Sequence, residues 1–305
     1  MGRCASLLLA AGSMLVFSVA AIAEDLEPRR WTHTPIGLDS LSVGYVYTRA
    51  DILLDPVSRL QDVDLRMHAW GLKYLHTFEL LDKTARVEAT QGYAVGRWTG
   101  LVDGVQRSAE RDGLADTQLR FAVNLVGAPL LAGKAFQEYR AQPGVETIVG
   151  AGVVVDLPTG EYMSDKLINI GSNRFTIRPQ LGVLHNWDDW SLEYTGSVWF
   201  YTDNNDYYND STLRQNPLYS IQAHVVRTIA RGTWIGLSGA YTYGADSVLN
   251  GNALHDTREQ VMWSLGFGFP LSQHLLGKFA YVGNRALETI GVDSDSFAVG
   301  VGYLW

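Results

Sequence analysis

The stretch Trp190-Ser191-Leu192-Glu193-Tyr194-Thr195-Gly196-Ser197-Val198-Trp199-Phe200-Tyr201 alternates between two sets of side chains. One set is Trp, Leu, Tyr, Gly, Val and Phe, and the other is Ser, Glu, Thr, Ser, Trp and Tyr. Successive side chains of a β-strand point to opposite faces. The period of two therefore predicts a strand with one apolar face and one mainly polar face.

The same alternation recurs along most of the chain. An even number of such segments is typical of bacterial outer-membrane barrels, in which each strand needs about 9 to 11 residues to cross the bilayer. We therefore predict an all-β fold, a transmembrane antiparallel up-and-down β-barrel of about 12 strands. The segments cover residues 38–48, 62–79, 84–98, 113–126, 144–157, 174–187, 189–202, 216–229, 232–245, 257–270, 273–284 and 294–305.

The connections between these segments alternate in length, as the short periplasmic turns and long external loops of such barrels do. The short ones are residues 80–83, 186–189, 230–232 and 270–272, and the long, polar ones are 49–61, 99–112, 158–173, 203–215, 246–256 and 285–293. Residues 127–143 break the pattern, because they are long yet fall on the short-turn side. Their stretch 132–140 is predicted to form a short periplasmic helix.

Composition excludes several other classes of protein. The 305 residues are 47% hydrophobic and 18% charged, and the net charge of −8 argues against nucleic acid as a partner. A secreted soluble β-sandwich, whose apolar faces would meet in a core, is the alternative fold. The alternation of loop lengths and the last strand ending at Trp305 favour the barrel, in which no strand edge is left unpaired in lipid.

The N-terminus has the features of a secretory signal peptide. Arg3 precedes an uncharged stretch that ends in Ala21-Ile22-Ala23, an A-x-A cleavage signal. We predict a signal peptide at 1–23, an N-terminal periplasmic segment at 24–37 and a single barrel domain at 38–305. The predicted location is the bacterial outer membrane. The predicted macromolecular partners are the lipid bilayer with its outer-membrane lipids, and the barrel-assembly machinery, through the strand that ends at Trp305.

The segment Asp156-Leu157-Pro158-Thr159-Gly160-Glu161-Tyr162, followed by Asn169-Ile170-Gly171-Ser172-Asn173-Arg174-Phe175, resembles the transporter family labelled "MetA-pathway of phenol degradation". The resemblance extends over roughly residues 116–305. It implies a β-barrel that passes hydrophobic or aromatic compounds. From the residues alone, this loop either folds inward and constricts the pore or only caps a strand pair. The constriction candidates are Pro158, Thr159, Gly160, Tyr162, Asn169, Gly171 and Asn173.

Charged residues of both signs recur on the polar faces of the predicted strands. Buried charges must be paired, so these side chains either form a salt-bridge network that fills the barrel or line a narrow path that selects solutes. The candidates for lining the pore are Arg66, His68, Arg86, Glu88, Arg120, Arg174, Arg178, Glu193, Trp199, Tyr201, His224, Arg258 and Lys278.

No motif for catalysis is present in the sequence. Neither His68 nor His224 begins an H-x-S pattern, the arrangement of His and Ser found in an outer-membrane phospholipase. Metal-binding and nucleotide-binding motifs do not occur either. We predict no enzyme, no cofactor and no metal, but a channel for passive uptake of a small-molecule solute, hydrophobic or aromatic by the family resemblance. A barrel lipid hydrolase and a structural barrel with a sealed lumen are the alternatives.

Overall fold

A computed structural model describes residues 26–53, 60–142 and 144–305. The predicted signal peptide, 1–23, lies outside the described residues, as do residues 54–59 of the predicted loop 49–61. None of the described helices is long and apolar enough to cross a membrane.

The described residues form one helix and a series of strands whose side chains alternate between exposed and buried. The helix is α1 (Gly133–Ala141), and the strands are β1 (Asp39–Leu53), β2 (Leu60–Leu80), β3 (Lys83–Val102), β4 (Val105–Leu114), β5 (Thr117–Val126), β6 (Glu146–Leu157), β7 (Thr176–Trp187), β8 (Trp190–Tyr201), β9 (Asn204–Tyr207), β10 (Ser211–Gln215), β11 (Leu218–Ala230), β12 (Thr233–Gly244), β13 (Ser247–Leu249), β14 (Asn252–Ala253), β15 (Arg258–Pro270), β16 (Leu275–Ala286) and β17 (Gly291–Leu304).

Twelve of these strands close into an antiparallel barrel, which confirms the predicted fold. The ring runs β1, β2, β3, β5, β6, β7, β8, β11, β12, β15, β16 and β17. It closes because β17 pairs with β1, from Ser40 opposite Leu304 to Leu53 opposite Gly291. Leu, Val, Ile and aromatic side chains on the outer face remain exposed, as a lipid-facing surface requires.

The prediction of a loop at residues 99–112 is wrong. There β3 continues to Val102 and turns at Asp103 and Gly104, both with positive φ, into β4. β4 and β5 form one wall strand with a break at residues 115–116, and both pair with β3. This hairpin extends beyond the lipid, where both of its faces can be polar, so the apolar–polar period that reveals a membrane strand is lost.

Most other connections fit the expected arrangement of two different barrel ends, but the long loop predicted at 285–293 shortens to residues 287–290, because β16 runs to Ala286 and β17 begins at Gly291. Short turns join β2 to β3, β7 to β8, β11 to β12 and β15 to β16, and α1 forms where a short helix was predicted. At the opposite end, β9, β10, β13 and β14 build a separate four-stranded sheet from two of the long loops. We refer to these as the periplasmic and external ends.

The orientation of the strand faces can be tested at Val301, which lies on the outer face of β17 and is 37% exposed. Arginine at this position should lower the free energy of unfolding by about 2 to 4 kcal/mol, the cost of a cation near the bilayer midplane. Arginine at Ser42, on the inward face of the adjacent β1, should cost less. Urea titrations of both variants refolded into lipid vesicles measure the difference, and equal costs would contradict the assigned faces.

Candidate functional site

The N-terminal segment of the described chain lies inside the barrel. It enters at the periplasmic end, where the Thr77 hydroxyl donates to the Pro35 carbonyl (2.6 Å) and the Gly37 N–H donates to the Thr77 carbonyl (2.8 Å). From there it runs inward, and Trp31 and Leu26 are almost completely buried. Part of the segment predicted as periplasmic, residues 24–37, thus lies in the lumen, from Leu26 to Trp31, whereas Pro35 and Gly37 lie at the periplasmic entry. The division of the chain at 23 and 37 stays a prediction.

The Trp31 indole packs against the barrel wall where two glycines leave room for the ring. Gly150 on β6 and Gly182 on β7 are cross-strand neighbours on the inward face. A Cβ atom on Gly182 would lie 1.8 Å from the Trp31 Nε1 atom, and one on Gly150 would lie 2.2 Å from the ring. The indole N–H donates to the Thr195 hydroxyl (2.8 Å), and the Arg120 guanidinium lies 5.2 Å from the ring centroid. Glycine in a strand interior marks this kind of close approach.

Helix α1 closes over the entry of the segment. The His33 ring makes edge contacts with Phe136 and Tyr139, at centroid distances of 5.0 and 5.3 Å. His33 Nε2 lies 2.7 Å from the Pro129 carbonyl oxygen, and its Nδ1 lies 3.4 Å from a carboxylate oxygen of Glu146. The irregular connection at 127–143 therefore holds the N-terminal segment against the barrel rim.

Ion pairs fasten the inner end of the segment to the wall. The Glu27 carboxylate accepts a hydrogen bond from the Lys278 ammonium group and lies 3.9 Å from the Lys73 ammonium group. Lys73 also contacts Glu88 at 2.9 Å, and Glu88 in turn contacts Arg120 at 2.5 Å. The inward charges thus form a salt-bridge network within the barrel, one of the two arrangements expected from the sequence.

The external loop between β6 and β7 folds into the lumen from the other end. Ile170 is 7% exposed and packs with inward residues of β1, β2, β3 and β17. The Asp116 carboxylate accepts hydrogen bonds from the Gly160 N–H (2.9 Å) and from the Ser172 N–H (2.9 Å). Gly160 and Gly171 touch so closely that a Cβ on either would come within 2.7 Å of the other residue.

The remaining motif residues hold this loop together. The Asn169 side chain accepts from the Met163 N–H (2.8 Å) and donates to the Lys166 carbonyl (3.0 Å). Asn173 has a left-handed backbone, with φ of 53°, and donates to the Asn204 side chain (3.0 Å). The Tyr162 hydroxyl donates to a backbone carbonyl of β9 (3.1 Å), and burial raises the Tyr162 pKa. The geometry therefore has the inward-folded arrangement; that these residues constrict a solute path stays a prediction.

The prediction that Arg66 and His68 line the pore is wrong. Near the inward-folded loop, β2 has its polar side chains on the outer face and its apolar side chains on the inner face, the reverse of a membrane-spanning strand. Arg66 and His68 are exposed on the outer face, while Leu65 and Met67 point inward and are buried. This part of β2 extends beyond the apolar band of the bilayer, so its outer face meets lipid headgroups and water. Its inner face meets the apolar side of the folded loop.

Arginine and aromatic side chains meet near the external end of the lumen. The Arg174 guanidinium lies 4.5 Å from the Tyr201 ring centroid, and the Arg178 guanidinium lies 4.6 Å from that of Trp199. Burial lowers the pKa of Arg174 to about 10, so the group stays charged at neutral pH. Burial also raises the pKa of Tyr207 in the external sheet. Cations stacked on ring faces form a surface that contacts both apolar and anionic parts of a solute.

A row of uncharged polar side chains continues around the wall from this cluster. Ser220 lies opposite Ser197 on one side and Thr242 on the other, and Thr242 lies opposite Gln260. The hydroxyl oxygens of all three Ser and Thr residues, and Gln260 Nε2, are buried without a hydrogen-bond partner among the described residues. A buried polar atom without a hydrogen-bond partner costs free energy. This part of the wall therefore favours a solute or water molecules that can hydrogen-bond to it.

Most, but not all, of the residues that lie in the lumen are predicted from the sequence. Within the described chain, no group of three or more His, Cys, Asp or Glu residues is arranged to hold a metal ion. Trp31, Lys73 and the polar row were missed; the glycines that recur on predicted inward faces were the available signal for Trp31. The predicted residues that do lie on inward faces or next to them are Arg86, Glu88, Arg120, Arg174, Arg178, Glu193, Trp199, Tyr201, His224, Arg258 and Lys278.

Comparison with known proteins agrees with this geometry. The sequence profile described as "Putative MetA-pathway of phenol degradation" matches residues 56–273. The chain belongs to this family. A comparison with curated protein sequences found no match.

Two solved structures show the same fold as this family member. An outer membrane channel from Pseudomonas putida F1 is 20% identical, with a TM-score of 0.74 over 92% of this chain and 100% of that one. The transport unit of the autotransporter AIDA-I from Escherichia coli is 9% identical, with a TM-score of 0.54 over 96% of this chain and 98% of that one. The phenol-degradation family member thus has the fold of an outer-membrane β-barrel.

Proposed function

We propose that this protein is an outer-membrane channel for passive uptake of small hydrophobic or aromatic solutes. The observation that carries the proposal is the lumen itself. Inside a barrel of this family, arginine-stacked aromatic rings and a row of buried, unpartnered hydroxyl groups lie on the inner wall, in a lumen that also holds an inward-folded loop and the N-terminal segment. Aromatic surface and polar groups together suit solutes that carry a ring and a few polar atoms.

The family description supports the choice of solute, since a phenol-degradation pathway begins with aromatic compounds. The two luminal obstructions support a narrow and selective path over a wide aqueous pore. Twelve strands lie between the filled barrels of about 8 strands and the water-filled porins of about 16 to 18.

The geometry gives less support to a lipid hydrolase. His68 faces outward beside Tyr45, with their side chains 2.7 Å apart. His224 lies between Glu193 and Ser238 on the inward wall, yet neither of its ring nitrogens has a hydrogen-bond partner among the described residues. A nucleophile needs a base within hydrogen-bond reach, and this arrangement does not supply one. Lipase assays of the refolded protein and of His224→Ala would reveal such an activity.

The last strand supports assembly by the outer-membrane insertion machinery, which we propose acts on β17. Trp305 lies beside Asp39, and their backbones exchange two hydrogen bonds of 3.0 and 3.1 Å. β17 is thus also the strand that closes the barrel by pairing with β1.

A liposome swelling assay tests the proposed channel. Vesicles with the mature protein should admit a water-soluble aromatic solute faster than a sugar of similar size, because the ring can contact the stacked arginine and aromatic side chains. Protein-free vesicles give the background, which matters because hydrophobic solutes cross lipid unaided. Entry no faster than this background for every solute would favour the sealed structural barrel instead.

A further inference from the structure

Three arginines lie side by side on the outer surface of the barrel. Arg49 on β1 is the cross-strand neighbour of Arg66 on β2, and Arg66 is the neighbour of Arg97 on β3. All three are exposed. We call these three residues the arginine row.

Like charges placed directly opposite one another destabilise a sheet, so the row calls for a compensating charge. Arg97 has one, since its guanidinium lies 3.2 Å from the Glu110 carboxylate. Among the described residues, neither Arg49 nor Arg66 takes part in an ion pair. Asp295, the neighbour of Arg49 on β17, is engaged by Arg285 at 3.1 Å.

Acidic residues lie on the same outer face, on the side of the arginine row that is farther from the lipid. Asp51 is the cross-strand neighbour of both Asp64 and Asp293, two positions along each strand from the arginine row. On the lipid side of the row no carboxylate intervenes on β1, β2 or β3, so an anionic group can approach the arginines from that side.

Aromatic residues border the row on that lipid side. The Tyr45, His68 and Trp70 rings pack together, with centroids 6.0 Å apart for Tyr45–His68 and 5.6 Å apart for Tyr45–Trp70. Tyr47 lies 5.0 Å from His68, and Tyr93 lies 6.3 Å from Trp70. Aromatic girdles of this kind mark the boundary between lipid tails and headgroups.

The length of β2 places the row at headgroup height. From Phe78 to Trp70 the strand rises about 27 Å, which a tilt of about 40° turns into about 20 Å across the bilayer. Arg66 stands about 31 Å above Phe78 on the same reckoning, just beyond an apolar band of about 25 Å. The short turn between β2 and β3 lies at the periplasmic end, and the row lies near the opposite ends of these strands, so the headgroups are those of the external leaflet.

We propose that the arginine row binds the phosphate groups of the phosphorylated glycolipid, lipopolysaccharide, that forms the external leaflet of the outer membrane. Guanidinium groups bind phosphate oxygens bidentately, and the adjacent aromatic cluster packs against the first sugar and acyl carbons of the same molecule. This surface is separate from the lumen, so it does not depend on the channel function.

The test compares binding of lipid A carrying two phosphates with binding of its dephosphorylated form to the full barrel in detergent, by native mass spectrometry. The variant is the triple substitution R49Q, R66Q and R97Q. R227Q is the matched control, because Arg227 is an exposed outward arginine at the periplasmic end and stacks on Trp190 at 5.3 Å. The triple variant should bind diphosphorylated lipid A at least about tenfold more weakly, a loss of about 1.4 kcal/mol, whereas R227Q should bind as the wild type does.

Two results would overturn the proposal. One is equal affinity of the wild type for phosphorylated and dephosphorylated lipid A, a measurement that remains decisive even if the triple variant does not fold. The other is a triple variant that folds, as judged by its resistance to unfolding in cold detergent, and binds like R227Q.

Discussion

Replacement of Glu88 by glutamine should lower the free energy of unfolding by about 3 to 5 kcal/mol, the cost of removing one partner from a buried ion pair. Glu88 is 8% exposed and is contacted by Arg120 at 2.5 Å, Lys73 at 2.9 Å and Arg86 at 3.6 Å. Without its carboxylate, three cations face one another within the lumen. Urea unfolding of the refolded barrel, followed by far-UV circular dichroism, measures the loss.

Glu110→Gln is the matched control for this prediction. Glu110 pairs with Arg97 at 3.2 Å, but its side chain is 69% exposed. Water and salt screen such a pair, so its removal should change stability little. A Glu88 variant as stable as the Glu110 variant would show that the luminal network is solvated and does not hold the wall together.

Substitution of Gly182 by alanine should raise the rate of solute entry severalfold. The new methyl group would lie 1.8 Å from the Trp31 ring, so the indole has to leave its position and the N-terminal segment loses its contact with β6 and β7. Trp31→Ala, which removes the indole itself, should raise the rate in the same way. Combining the two substitutions should add little, because both act on one contact.

Gly71→Ala provides the control for the glycine substitution. Gly71 lies on an inward face of β2, and a Cβ there would meet no atom within 4 Å. Its rate of solute entry should match that of the wild type in the liposome swelling assay. If Gly182→Ala also matches the wild type, the N-terminal segment does not limit passage through the lumen.

Strand positions were predictable because lipid imposes a strict rule on the outer face. Every second residue from Trp190 to Phe200 had to suit the bilayer, and β8 occupies the predicted span almost residue for residue. The rule fails where the strands leave the lipid. β4 is polar on both faces, so its sequence predicts a loop, and the polarity of Arg66 and His68 predicts the inner face although both side chains point outward.

The luminal contents could not be predicted in the same way. The polar faces of the strands indicated charged residues inside the barrel, and Glu88 with Arg120 confirms that such residues pair there. The partners of Glu27 and Trp31, however, lie far away along the chain, on strands brought together only by closure of the barrel. Periodicity reports which face a residue lies on, and it carries no information about what will stand opposite.

The amino-acid sequence by itself determined the twelve-stranded barrel, its two unlike ends and the short helix between β5 and β6, since each follows from local alternation and turn length. The tertiary structure alone decided that the N-terminal segment lies in the lumen, that Gly150 and Gly182 hold Trp31, and that three arginines from separate strands form one outer row. Those features depend on strand register, which brings together residues that are distant in the chain.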